Sequence, residues 1–371
     1  MGEHQAGENK AGEKRPKRRA PIVGRYTQQE LALATRNSGM PLEALRYDLT
    51  PAGLHYLLIH FDIPATDAAT WQMRIGGLVS GARAVGLAEL QRMPASTVRV
   101  TMECAGNGRG QMSPRYPSMP WLEEGVSTAE WTGVPLRVLF KEAGMRLEQS
   151  AREIVFHGAD RGIDRGIEHS FSRSLATAEA LRPEVLVAYA MNGQALAPQH
   201  GAPLRLVVPD WYGMASVKWL ERIEAIDRAF DGVQQALSYH FRAVPGERGA
   251  PCTRMRVNSL MAPPGIPDYY GRSRTLGAGA VEILGRAWSG NAPIQRVEFA
   301  VDGDWRDALL DAPAGAHAWR CWRARWNAPP GTQELRCRAT DETGAVQPLE
   351  AVWDVTGFGN NAAQRVEVNV R

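Results

Sequence analysis

Met102-Glu-Cys-Ala-Gly-Asn-Gly-Arg-Gly110 follows Val98-Arg-Val-Thr-Met, whose alternation predicts a strand. A strand running into a glycine-rich turn is also how dinucleotide loops begin. Here the glycines read GxGxG, and Pro114 and Pro117 stand where a helix would have to open, so nucleotide binding is set aside. What remains is a cysteine at a strand end, next to the amides of the turn and the guanidinium of Arg109. That setting is expected to leave the sulfur accessible and to favour thiolate over thiol. A thiolate serves as a nucleophile or as a soft metal ligand. As a nucleophile, Cys104 needs a histidine base, and spacing alone cannot place His60, His157 or His200 beside it.

On either side of this stretch, helices and strands alternate without a βαβ rhythm. Gln28–Arg36 lacks helix breakers; Val134–Ala143 reads as a helix closed by Gly144, and Ser174–Leu181 as a short helix before Pro183. Strands are expected at Trp71–Ile75 (ended by Gly76-Gly77), Glu153–His157, Val185–Ala190, Leu204–Val208 and Val217–Leu220. The mixture favours α+β over doubly wound α/β. Near residue 250 the character changes. Val297, Phe299 and Val301, then Leu335, Cys337 and Ala339, then Val366, Val368 and Val370 alternate with polar or small residues, between turns such as Asp302-Gly303 and Thr343-Gly344. That spacing predicts an immunoglobulin-like antiparallel β-sandwich. The expected division is a flexible basic tail at 1–25, a catalytic domain at 26–245 and the sandwich at 250–371.

The 371 residues include 43 Lys/Arg against 40 Asp/Glu, and the net charge is +3. Residues 1–19 alone carry six Lys/Arg and three Glu, so the rest of the chain is neutral and lacks the basic excess of a nucleic-acid binder. No apolar run reaches membrane-spanning length. Arg18-Arg19 is not followed by an apolar stretch of the kind an export signal needs, so a cytoplasmic location is expected if this N-terminus is native and a periplasmic one if it is not. Cys104, Cys252, Cys321 and Cys337 show no CxxC spacing, which argues against a zinc ribbon, a c-type haem or a disulfide framework.

Several long motifs in one order give the chain a specific resemblance. Glu103-Cys-Ala-Gly-Asn-Gly-Arg109, Trp131-Thr-Gly-Val-Pro-Leu-Arg137, Ala188–Pro209 (with Met191-Asn-Gly-Gln and His200-Gly-Ala-Pro-Leu-Arg205) and Ser216-Val-Lys-Trp-Leu220 together resemble the sulfite oxidase family of mononuclear molybdopterin-dependent oxidoreductases. The resemblance spans roughly residues 40–371. It implies a sulfite oxidase-type molybdopterin-binding domain followed by a dimerisation sandwich, hence a homodimer. It implies Mo-molybdopterin as cofactor, with Cys104 as the protein ligand to the metal. Cofactor-binding roles are implied for Tyr56, His60, Asp160, His200, Arg205, Ser216, Val217 and Lys218. Catalytic or substrate roles are implied for Arg109, Trp121, Tyr239 and Arg365, the last as the C-terminal arginine that reaches into the site.

One departure bears on substrate. The family's aromatic-Val-Arg-Asn-His reads Tyr56-Leu-Leu-Ile-His60, so Leu58 stands where the family has a substrate arginine. A charge-assisted contact is worth about 1.5–3 kcal/mol, so anion binding is expected to weaken roughly tenfold to a hundredfold. The activity implied is oxygen-atom transfer, oxidising sulfite or a related sulfur compound and passing electrons to an external acceptor, with no haem in the chain. Two alternatives stand beside it. One is a reductase of S-oxides or N-oxides fed by an external donor; the other is a cofactor-free thiol hydrolase or binding protein.

Overall fold

The computed structural model describes residues 26–371, and the expected tail at 1–25 lies outside the described residues. The chain is built mostly from strands. Its helices are short: Gln28–Arg36, Leu87–Leu90, Leu136–Glu142 and Thr177–Ala180, apart from single 3-10 or π turns. The first has the boundaries expected from sequence and a Thr27/Glu30 capping box. The second expected helix is shorter than its pattern, because Val134 and Pro135 still belong to a strand. The third shrinks to one turn, since Ser174–Ala176 complete the strand Ile167–Ala176. None of the described helices is long and apolar enough to cross a membrane.

Two five-stranded sheets form the N-terminal part. One runs Arg83–Gly86, Gln72–Gly77, Leu220–Ile226, Glu153–Asp164, Ile167–Ala176. The other runs Gln194–Ala195, Leu186–Met191, Val126–Pro135, Ser96–Glu103, with Arg205–Val207 also paired to Leu186–Met191. Val126–Pro135 is buried along nearly its whole length on both faces, which explains why it alternates poorly in sequence. Two sequence expectations shift here. Gly76-Gly77 are the last two residues of their strand rather than a break after Ile75, and Val217–Trp219 form a bend ahead of the strand that starts at Leu220, with Trp219 at φ 48°.

The C-terminal part has a four-stranded sheet (Asn258–Met261, Gly279–Trp288, Arg320–Ala328, Leu309–Leu310) and a six-stranded one. The second runs Ile266–Pro267, Arg274–Leu276, Gln364–Val370, Gly331–Asp341, Ile294–Val301, Asp304–Asp307. Their facing sides share one core that includes Val297, Phe299, Trp322, Leu335, Cys337 and Val368. The division near 250 is not a division of cores, however. Cys252, Met255, Leu260, Trp288 and Trp319 pack into the same apolar cluster as Leu136, Phe156 and Leu206.

Candidate active site

The strand Ser96–Glu103 ends with two residues that face different ways. Glu103 turns inward. It accepts hydrogen bonds from Asn107 Nδ2 (3.1 Å), Asn258 Nδ2 (3.0 Å) and Trp288 Nε1 (3.0 Å), the last two from the C-terminal part. Burial pushes its carboxyl up to about 7, against the pull of those three donors. Cys104 faces a cavity lined by His55, Tyr56, His60, His200 and Lys218. The loop after it is closed by Cys104 O accepting from Asn107 N (2.9 Å) and Gly106 O accepting from Arg109 N (3.1 Å). Gly106 is required because a Cβ there would lie 2.6 Å from the Arg109 guanidinium, and Gly108 because the turn needs φ 76°.

The cysteine differs from the expectation in one respect. It is 7% exposed, and burial raises its thiol pKa, against the charge of Arg109, the Gly106 backbone and the Trp121 indole. An uncoordinated Cys104 is therefore a thiol near neutrality. The cavity histidines do not serve it as a base. His60 Nε2 is 2.6 Å from the Tyr239 hydroxyl, His55 Nδ1 is 2.9 Å from Tyr56 O and His200 Nε2 is 3.3 Å from Ala52 O. His157 lies outside the cavity, bonded to Ser172 and Arg222. A metal bound at the sulfur would deprotonate it outright.

One wall of the cavity is a cationic cradle. Arg205 donates to His200 O (3.1 Å) and Ser216 O (3.1 Å), with its guanidinium 4.5 Å from the Trp131 ring centroid. Lys218 Nζ donates to Leu58 O (2.8 Å), and Ser216 Oγ accepts from Val208 N (3.0 Å). Asp160 is the acid that faces them. Burial pushes Asp160 up to about 7 against the Lys218 charge, and pushes Lys218 down to about 7, helped by Arg205. Burial also holds His200 down at about 4 and His55 and His60 at about 3. His55, which also lines the cavity, was missed in the sequence; its Nε2 has no hydrogen-bond partner.

Those buried histidines set an acid limit. A histidine at about 4 in the fold and about 6.5 unfolded lets the unfolded chain bind more protons between those values, so stability is lost as pH falls through them. Asp160 and Glu103, raised instead from 3.8 and 4.5, act in the opposite sense between those values and about 7. A difference measurement separates the two. The stability of wild type relative to His200→Gln, from urea unfolding, is expected to be flat above pH 7 and to decline from pH 6.5 towards 4. A flat difference throughout would contradict the buried neutral state of His200.

The rest of the expected set divides. Tyr56, His60, Cys104, Asp160, His200, Arg205, Ser216, Lys218 and Tyr239 all line the cavity. Arg109 packs behind the loop, Nε donating to Thr356 O (2.8 Å) and Nη1 to Met119 O (3.1 Å). Trp121 stands edge-on to Tyr56. The Val217 side chain belongs to the apolar core and does not reach the cavity, because the bend before Leu220 turns it inward between Ser216 and Lys218.

Arg365 is a correction. It lies in the strand Gln364–Val370, where Gln364, Val366, Val368 and Val370 face inward and Arg365, Glu367 and Asn369 face out. Its guanidinium pairs with Glu350 and lines a surface groove with Asp302, Glu334 and Glu367, and it is not among the residues that line the Cys104 cavity. The C-terminal residues at the cysteine loop are instead Thr356, Phe358, Gly359 and Asn360. Gly359 N donates to Ala105 O (2.8 Å), Asn360 Nδ2 to Gly108 O (2.9 Å), and Phe358 stacks on Tyr239 at 5.2 Å. The glycine-flanked Gly357-Phe-Gly-Asn360 was the available signal.

Residues 60–234 match the family described as oxidoreductase molybdopterin binding domain, and residues 251–371 the one described as Mo-co oxidoreductase dimerisation domain. The chain is 32% identical over 347 residues to mitochondrial sulfite oxidase of Rattus norvegicus, covering 87% of this chain and 62% of that protein. It is 30% identical over 371 aligned positions to a nitrate reductase [NADH] of Hordeum vulgare, covering 90% of this chain and 40% of the other. It thus spans under two thirds of these relatives' own length. Among solved structures, the sulfane dehydrogenase SoxCD from Paracoccus pantotrophus superposes with a TM-score of 0.76 at 28% identity, covering 90% of this chain and 86% of that one.

Proposed function

The chain belongs to the sulfite oxidase family of molybdopterin-dependent oxidoreductases, and on that premise we propose that it oxidises a sulfur compound by oxygen-atom transfer and passes the electrons to an external acceptor. The donor set suits the family's cofactor. Two long cations, an acid and the unpartnered His55 nitrogen line one cavity, as an anionic, nitrogen-rich pterin phosphate requires, and a soft thiol waits beside them. Arg205, Lys218, His200, His55, Ser216 and Asp160 would hold the pterin, and Cys104 the metal. When bound, the cofactor supplies two-electron oxygen-atom transfer. The chain's own part is to bind, orient and exclude water. Phe171 and Leu58 line the cavity with apolar surface, and the Tyr239–His60 pair holds a proton at its wall.

The observation that favours one substrate class is a shortage of cations above Cys104. Position 58 is Leu, Arg365 faces away, and Arg109 is already committed to two carbonyl groups. A compact dianion such as sulfite would find little to neutralise it. We infer a sulfane-type sulfur, whose charge is absent or lies away from the reacting atom. The same proposal assigns an α+β catalytic domain at 26–245, an immunoglobulin-like sandwich at 250–371 and a homodimer made through the latter.

Leu58→Arg tests the substrate class. An added guanidinium is expected to lower the sulfite KM several-fold with less change in kcat, and to reduce turnover of thiosulfate by narrowing the apolar wall. Steady-state kinetics with an artificial acceptor reads both. Wild-type reduction of S-oxides or N-oxides by a reduced dye, with no sulfur oxidation, would replace this reading with the reductase.

A further inference from the structure

Arg173 sits in the strand Ile167–Ala176, opposite Phe156, and is 3% exposed. Nη1 donates to the carbonyl of Gln234, where the π turn Gln234–Ser238 begins, and Nε has no partner. Among the described residues it makes no ion pair. A buried guanidinium without a carboxylate is costly and leaves a positive field in its surroundings. Its surroundings are aromatic. The guanidinium lies 5.4 Å from the centroid of Tyr239, Tyr239 stacks on Phe358 at 5.2 Å, and Arg109 lies 5.0 Å over Phe358. The ladder thus runs from one cation to another through two rings, and its Tyr239 hydroxyl is at the wall of the Cys104 cavity beside His60.

We propose that Arg173 is a positioning residue for anion recognition: from beneath Tyr239 it supplies the positive charge that Leu58 does not. It fixes the ring and strengthens the Tyr239 hydroxyl as a donor, so that the hydroxyl receives the negative end of the substrate. A cation one layer back attracts by its field but offers no forked contact. The substrate class rests on the sulfur-oxidation reading; the anion-binding role of Arg173 does not.

The experiment compares wild type, Arg173→Met and Arg173→Lys as cofactor-loaded proteins. Inorganic sulfate, which does not react, is titrated by calorimetry, and thiosulfate kinetics are measured in parallel. Arg173→Met is expected to weaken sulfate binding about tenfold and to raise the thiosulfate KM by a similar factor. Arg173→Lys is expected to recover sulfate affinity to within about threefold, with metal content and Tm unchanged in both. Unaltered sulfate affinity in Arg173→Met overturns the proposal. So does equal loss in both variants accompanied by falling cofactor content, since that marks a merely structural residue. If wild type binds sulfate and loses it on Arg173→Met but never turns over thiosulfate, Arg173 stands and the sulfane reading fails.

Discussion

Cys104→Ser is expected to fold, to load pterin and to lose turnover by more than about a hundredfold, a larger loss than outer-shell changes at metal sites produce. The sulfur is the one thiol among the residues that line the cavity, and a serine oxygen is too hard and too weakly acidic to replace it. Folding is expected to survive because Cys104 is held through its backbone, N donating to Gly125 O and O accepting from Asn107 N, and not through the thiol. Cys252, Cys321 and Cys337 are expected to tolerate Ser or Ala without this loss. Cys252 and Cys337 lie in the apolar cores, and burial pushes their thiols up to about 12. Kinetics with metal and pterin analysis of each variant is the measurement. A fully active Cys104→Ser would remove the ligand assignment.

Truncation after residue 249 is expected to abolish both activity and a stable fold, for reasons other than Arg365. The cut leaves buried Glu103 without Asn258 and Trp288, and a buried acceptor stripped of its donors costs about 1–3 kcal/mol. It removes Cys252, Met255, Leu260, Trp288 and Trp319 from the main core, where loss of one large side chain already costs about 2–5 kcal/mol. It also breaks the contacts of Arg286 with Leu45 O (2.9 Å) and of Trp319 with Asp48 O (3.1 Å). These losses together match the whole stability of an ordinary domain. Far-UV circular dichroism, size-exclusion chromatography and metal content of the fragment test this. A folded, metal-loaded monomer ending there would show the two parts to be independent. Trp288→Leu is the milder form, leaving the core nearly filled and Glu103 short of one donor.

Much of the site was legible because its residues lie in short motifs whose local geometry the backbone fixes. Gly106 and Gly108 permit the tight loop that presents Cys104, and the segments around Arg205 and Lys218 are joined directly, Leu206 N donating to Val217 O and Leu220 N to Leu204 O. Arg365 was placed wrongly although its strand already carried the answer. With Val366, Val368 and Val370 inward, period two puts residue 365 on the outer face.

Sequence alone determined the cysteine loop and the alternating strands after residue 250, since each depends on neighbours within a few positions, while the cradle residues followed from the family resemblance. Only the tertiary structure decided what comes together from far apart. It joined Glu103 to Trp288, carried Phe358 and Asn360 to the cysteine loop, and set Arg173 beneath Tyr239. It also buried Cys104 and so reversed the expected direction of its pKa. The physical reason is common to all four. Desolvation and long-range hydrogen bonding depend on which surfaces the packed sheets exclude from water, and no local spacing in the chain encodes that.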